Sequence, residues 1–312
     1  MRKSITAVLR LCGTGLSAVI VLVASTAASQ AQKAFPSPEQ AAAALADAVK
    51  SNSNRAVVKV LGPPAREIVD SGDEVADREM WQRFTTAYDA KHSIKAEGNK
   101  TATLIVGDDD FPFPIPLYAT SRGWEFDTKA GRREILYRRI GRNELDAIQT
   151  CLAYVDAQNE YAAKDHGLGV GVYAQRIVSS PGKKDGLFWQ DDGDPSPLGE
   201  LAAEASREGY NVDGQGAPYH GYYYRTLKAQ GPDAPGGAAS YLVNSKMIGG
   251  FALVAYPADY GNSGVMTFMV NHDGTVYQKD LGWRTDVIAE RMRLFEPDHT
   301  WKKVDPEALE KK

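Results

Sequence analysis

Gly141–Asp165, GRNELDAIQTCLAYVDAQNEYAAKD, is the stretch whose reading decides the fold. Leu145, Ile148, Leu152 and Val155 step by three, four and three residues, the spacing that places side chains on one face of an α-helix. Before this stretch the pattern is helices followed by short strands. After it comes a Gly- and Tyr-rich series of further short strands. The spacing predicts a helix that closes one lobe and opens a second, with those four residues buried against Phe251–Tyr256 and Val265–Val270. Asp146, Asp156, Glu160 and Lys164 give the helix a charged outer face. Cys151 lies one position from Leu152 and reads as a buried, unreactive thiol.

The N-terminus reads as a targeting segment. Met1-Arg2-Lys3 and Arg10 are basic, Leu11–Ala24 is largely apolar, and Ala27–Ala31 supplies the small residues of a signal-peptide cleavage site, with the cut after Ala31. The apolar run is short for a bilayer span and no stop-transfer charges follow it. Arg10 stands close before Cys12, where a lipobox wants small or apolar residues. Of the 2 cysteines, cleavage leaves Cys151 alone, so no intramolecular disulfide is expected. Burial must hold the remaining chain, and its roughly 280 residues suffice for about two domains. A net charge of −4 and a pI near 5.8 argue against a nucleic-acid partner, which calls for a basic face. No later segment is long and apolar enough to span a membrane, so a periplasmic or secreted globular protein without a transmembrane segment is expected.

Residues 32–140 read as an α+β lobe. Ser37 can cap a helix with Pro38 at its first position and Gln40 at the capping-box position. Asp77–Ala90 returns to helical spacing. Ile94–Ala96, Thr101–Val106, Ile115–Thr120 and Gly123–Asp127 then change to period two, giving a small antiparallel sheet that helices cover. The element order is similar to the nuclear-transport-factor-2-like fold, an analogy that implies no activity. Asp108-Asp109-Asp110 reads as a solvated loop in preference to a cation site, since no spaced ligand pattern follows. In Phe111–Pro116 the prolines stiffen the approach to an edge strand while the aromatics pack inward. Lys129–Arg142 is a solvated basic helix with local ion pairs, and Gly141 marks a kink or a change of helix.

Residues 141–296 read as the second lobe, with 297–312 as a tail. Glu200–Glu208 is a short helix. Tyr219–Leu227 is strand-like, and alternation would put His220, Tyr222 and Tyr224 on one face with Tyr219, Tyr223 and Arg225 on the other. Phe251–Tyr256 is apolar throughout and so central. Asn271-His272-Asp273-Gly274 is a hairpin turn. Trp283–Phe295 is expected as a last helix with Ile288, Met292 and Phe295 on its apolar side.

Six blocks in order carry a resemblance: NELDAIQTCLAYVDAQNEYA, SSPGKKDGLFW, PYHGYYYRTLKAQG, APGGAASY, GGFALVAYPADYG and VNHDGTVYQKDLG. Together they resemble the bacterial exported family catalogued as domain of unknown function 2950. The resemblance implies an envelope or secreted protein of no established activity. The second lobe is also similar in element order to pilin-like folds, with Ala157-Gln158 matching the Ala-Gln pair of their helix. Pilins carry an apolar helix at the mature N-terminus; this helix is internal and charged, which argues against a filament subunit.

Two functions follow as expectations. The first is a non-catalytic binding or assembly module for an envelope protein or glycan, using Trp189, Tyr219, His220, Tyr222, Tyr224 and Arg225, residue types that combine contact area with a polar handle. The alternative is a hydrolase acting on an envelope polymer, with His220 as general acid/base and Asp185 or Asp259 as its partner carboxylate. Gly261-Asn262-Ser263-Gly264 lacks the nucleophile-elbow spacing, and no zinc-binding His-Glu-x-x-His helix occurs, so no catalytic residue, metal ligand or cofactor is assigned. A lesser option is calcium stabilisation by Asp191, Asp192 and Asp194.

Overall fold

Ser37 opens the first helix with its hydroxyl accepting the Gln40 amide at 3.3 Å and Pro38 in the first turn. This helix, α1 (Pro38–Lys50), packs on α2 (Asn54–Leu61), which Ser53 caps. A computed structural model describes residues 32–190, 193–212 and 217–305. The expected targeting segment 1–31, Asp191 and Asp192 of the calcium option, and the tail beyond 305 lie outside the described residues. A single turn, α3 (Arg66–Val69), and the longer α4 (Glu74–Ala90) complete the first helical group.

Five strands follow, β1 (His92–Glu97), β2 (Thr101–Val106), β3 (Phe111–Pro112), β4 (Leu117–Thr120) and β5 (Gly123–Phe126). They form an antiparallel sheet in the order β1-β2-β4-β5, with β3 also pairing to β2. Period-two burial in β2 sends Ala102, Leu104 and Val106 inward, and α1 and α4 cover that face. Leu45, Val57, Ile68, Ile115, Leu117 and Phe126 centre the core. Phe113 packs inward with its ring 5.3 Å from Phe84, whereas Phe111 stays exposed. Asp108–Asp110 form the turn, and Asp110 pairs with Lys91 at 2.7 Å.

Asp127 caps α5 (Thr128–Ala162), a continuous helix of 35 residues. The boundary expected at 140/141 therefore falls inside one helix. Gly141 is exposed, with open space where a Cβ would go, and the helix passes through it without interruption. Gly131 is different: a Cβ there would lie 2.5 Å from the Pro114 carbonyl oxygen, so the absent side chain lets the helix approach the first sheet.

In its second half α5 buries Ala147, Ile148, Cys151, Tyr154, Val155 and Gln158. Of the four residues expected on that side, Ile148 and Val155 are buried while Leu145 and Leu152 are half-buried. The face is rotated toward Tyr154 and Gln158 because both have polar partners inside. The Gln158 side chain donates to the Ala174 carbonyl at 2.8 Å and accepts the Ala174 amide at 2.9 Å. Its amide also donates to the Tyr154 hydroxyl at 2.9 Å.

Beyond lie α6 (Gly199–Glu208), β6 (Tyr222–Leu227), and two ribbons, β7 (Ala229–Gln230) with β8 (Ala239–Ser240) and β9 (Leu242–Val243) with β10 (Lys246–Met247). Next come β11 (Ala252–Pro257), β12 (Met266–Asn271), β13 (Val276–Asp280), α7 (Thr285–Arg291) and β14 (Lys302–Lys303). The second sheet is antiparallel in the order β14-β13-β12-β11-β6. Every residue of β11 is buried, because α5 packs on β11 and β12 from one side and α7 on β11 from the other. The whole is an α+β architecture.

The last helix is shorter than the sequence predicts. The chain leaves it at Met292 (ψ 132°) and runs extended, so that the Phe295 amide reaches the Ala229 carbonyl at 2.9 Å. Phe295 is fully buried against Tyr277, and Ile288 is exposed. The stretch expected as a tail is folded as far as it is described: Trp301 is buried and Lys302 and Lys303 pair with β13.

The two halves are laced by polar contacts. Arg139 of α5 donates to the Ile68 carbonyl, to the Glu67 carbonyl at 2.9 Å and to Asn262 Oδ1 at 2.6 Å. Asn262 Nδ2 in turn donates to the Asp70 carbonyl at 2.9 Å.

Candidate functional site: a tyrosine-lined cleft at a sheet edge

His220 and Gly221 both have positive φ, 47° and 74°, and two such residues in succession make the tight turn of a hairpin. Tyr219 and Tyr222 exchange backbone bonds of 2.9 and 3.1 Å across it. Glycine is required at 221, since a Cβ would come within 2.5 Å of Asn143 Nδ2. The turn changes the face assignment that simple alternation gives. Tyr219 folds back beside Tyr224, ring centroids 6.5 Å apart, instead of pointing to the opposite side. Within β6 alternation holds: Tyr222 packs with Phe268 under α5, while Tyr223 meets Tyr256 and Arg225 donates to the Ala289 carbonyl of α7 at 2.6 Å.

Asp73 fixes this turn from the other half of the molecule. Its Oδ1 caps α4 by accepting the Val75 and Ala76 amides, each at 3.1 Å. Its Oδ2 accepts the Gly221 amide at 2.8 Å and the Tyr210 hydroxyl at 2.9 Å. The carboxylate is almost wholly buried, and each oxygen serves a different half of the chain.

Beside the free side of β6 lies a cleft of about 520 Å³. Tyr224 and Thr226 line it from the strand and Lys228 from just beyond its end, Tyr154 and Thr150 from α5, and Leu201 and Ala205 from α6; Ile177, Phe188, Tyr210 and Tyr219 complete the apolar lining. This volume is within the usual range for a site that takes a small molecule or a short segment of chain. Among the described residues its charged lining is cationic throughout: Arg176, Arg225 and Lys228.

The Tyr224 hydroxyl is buried without a well-formed hydrogen bond. Burial pushes that phenol well above its ordinary pKa, with Thr150 pulling the other way. Thr150 gives its own proton to the Asp146 carbonyl at 2.8 Å. Arg225 Nε is likewise buried and unpaired. Burial, with Arg293 nearby, pulls its guanidinium down. Burial also raises the Tyr154 phenol to about 12.

His220 sits behind Tyr219, with ring centroids 4.1 Å apart, and outside the lining of the cleft. Its Nδ1 lies 3.5 Å from Asp146 and its Nε2 3.3 Å from Glu208. Burial raises the Glu208 carboxyl, opposed by His220. The carboxylates facing this histidine are therefore not the two expected from sequence. Asp185 accepts from Ser180, and the Asp259 carboxylate accepts from Asn262 Nδ2 at 2.9 Å.

Of the residues expected to bind, Tyr219, Tyr224 and Arg225 line the cleft and His220 adjoins it. Tyr222 is fully buried, donating to the Met266 carbonyl at 2.9 Å. Trp189 is buried in the core with its indole donating to the Asp194 carbonyl at 2.8 Å. Asp73, Asp146, Tyr154, Glu208 and Tyr210 were not picked out by the sequence, where each is an ordinary helix, cap or loop residue.

Among the described residues no cluster of three or more His, Cys, Asp or Glu could hold a metal ion, and no helix is long and apolar enough to cross a membrane. No curated protein and no solved structure matches this chain. The match is with a protein family of unknown function, DUF2950, over residues 32–304; it takes in both sheets, the shared helix and the cleft, and the chain belongs to that family.

Proposed function

We propose that this chain is an exported bacterial envelope protein acting as a non-catalytic binding module, with the tyrosine-lined cleft as its ligand site. The observation that carries the reading is the Tyr224 hydroxyl, buried in the wall of an apolar cleft without a well-formed hydrogen bond. An unpaired buried hydroxyl costs about 1–3 kcal/mol, and a ligand acceptor at that position removes the cost. Tyrosines around it supply broad contact with little side-chain entropy to lose. The test is surface plasmon resonance of purified protein against immobilised envelope protein extract and against peptidoglycan glycan strands. Wild type binds one of them; Ala202→Trp, which fills the cleft from α6, loses that binding without a lower melting temperature. Equal binding by the two proteins, or none by wild type, refutes the reading.

One observation favours hydrolysis as the second reading: His220 held between Asp146 and Glu208, the setting of a tuned acid/base. Against it, among the described residues no serine, threonine or cysteine side chain bonds the His220 ring. Release of reducing ends from glycan strands by wild type but not by His220→Gln would establish it.

A further inference from the structure

β6 is the terminal strand of its sheet, so one side of its backbone has no neighbouring strand. The hydrogen-bond phase identifies which residues face outward. The Ala258 amide bonds the Gly221 carbonyl at 2.9 Å, across the pair that continues the β6–β11 register. Antiparallel alternation then turns Tyr223, Arg225 and Leu227 toward β11, and Tyr222, Tyr224 and Thr226 outward. Two contacts close the ends of this outer edge. Tyr219 takes both backbone groups of Tyr222, and the Tyr241 amide takes the Lys228 carbonyl at 3.0 Å. Between them, the amide and carbonyl groups of Tyr224 and Thr226 have no partner among the described residues, and both residues line the cleft.

An open edge is ordinarily covered, charged or twisted away, because it invites another strand. Here the edge is capped at both ends and open where the cleft begins. The four free groups belong to residues two apart, about 6.8 Å along an extended chain, and alternate as donor and acceptor. An extended polypeptide matches that repeat with its own backbone. From this we infer that the cleft takes an extended peptide segment of a partner protein, added as an extra strand along β6. Side chains at alternate positions of that segment enter the apolar lining formed by Tyr154, Ile177, Phe188 and Leu201, as in other strand-addition sites. Because Arg176 and Lys228 are the charged lining residues whose side chains are not turned to the α7 face, the segment carries an acidic side chain or its terminal carboxylate. The inference rests on the reading of the cleft as a ligand site and specifies its ligand class.

Random dodecapeptides displayed on phage, selected on the immobilised full-length protein with Ala202→Trp as the counter-target, supply the probe. The enriched peptide is then synthesised in two N-methylated forms, each blocking alternate amides in one of the two registers. Expected is a loss of at least about thirtyfold in affinity for the register facing β6, with the other within about threefold, since two ladder bonds are removed in one case and none in the other. Thr226→Pro, which removes one outward amide at an edge position where proline is tolerated, loses about fivefold while keeping its melting transition. Equal weakening by both methylated forms, or none, refutes strand addition. Failure to enrich any peptide while chito-oligosaccharide binds wild type and not Ala202→Trp also refutes it, yet leaves the cleft as a ligand site. Failure of both probes removes the ligand site itself.

Discussion

Replacing Asp73 tests how the two halves are joined, because one buried carboxylate bonds four donors from both of them. Asp73→Ala removes the cap of α4, worth about 1 kcal/mol. It also strands the buried Gly221 amide and the Tyr210 hydroxyl, for about 2–3 kcal/mol more. The expected loss is thus about 3–4 kcal/mol, a large share of the stability of any domain. Asp73→Asn is more discriminating. An amide has one acceptor oxygen, and the other position becomes an NH₂ that cannot accept. Whichever way the group turns, either the helix amides at 3.1 Å or the Gly221 and Tyr210 donors at 2.8 and 2.9 Å face a donor. That predicts a loss of about 2 kcal/mol, between wild type and alanine. Urea unfolding followed by circular dichroism measures both variants. A cycle with Tyr210→Phe isolates the contact across the halves and should give a coupling of about 1 kcal/mol or more. Values for both variants within about 0.5 kcal/mol of wild type, or a coupling near zero, would refute the bridging role.

Helix α5 offers a contrast between its two glycines: Gly141→Ala, in open space, should stabilise by about 0.5–1 kcal/mol, whereas Gly131→Ala should destabilise by about 2 kcal/mol despite the same gain in propensity. Thermal melts of the pair decide it, and the same sign for both would contradict the packing. Cys151, fully buried with its thiol raised to about 12, should resist Ellman's reagent at pH 8 in the native state and react at once in urea. Fast labelling without denaturant would place it elsewhere. Asp185 is opposed by its own burial, yet the Ser180 amide and hydroxyl hold its pKa below the usual value, so its contribution is present above the unfolded pKa and fades as pH falls through the folded one. The melting gap between wild type and Asp185→Asn should be full at pH 7 and close below about pH 4; a gap that widens in acid would reverse the sign.

Much of the fold was legible because local rules and tertiary demands agreed. Ser37 and Pro38 start α1, period-two residues make β2, and the Asp273-Gly274 pair closes the hairpin of β12 and β13. Legibility failed where a distant partner overrode the local signal. The buried face of α5 turns toward Gln158 because Ala174 bonds it, and nothing in the helical spacing announces that bond. The last helix stops at Met292 because Phe295 pairs with the Ala229 carbonyl. At α2, Ser53 caps a segment too short for its periodicity to decide between helix and strand.

The cleft shows the same division more sharply. Tyr219, Tyr224 and Arg225 stand out in the sequence by type, yet their mutual arrangement depends on two residues of left-handed backbone between strand and approach. Alternation holds only while a strand continues, and the turn at His220-Gly221 reverses the chain. What holds the turn is Asp73, almost 150 residues earlier, through the hydrogen bond that its carboxylate accepts from the Gly221 amide at a sequence separation of 148. A cap residue of α4 therefore fixes where Tyr219 lies against Tyr224 and how the open edge of β6 ends. Loosening that bond should disturb the cleft before it unfolds either core, since the two largest apolar clusters centre on other residues. Peptide affinity in Asp73→Asn should accordingly fall by tenfold or more while the variant, having lost about 2 kcal/mol of global stability, stays folded. If affinity is unchanged in that variant, the turn is held by its own backbone and Asp73 serves stability alone.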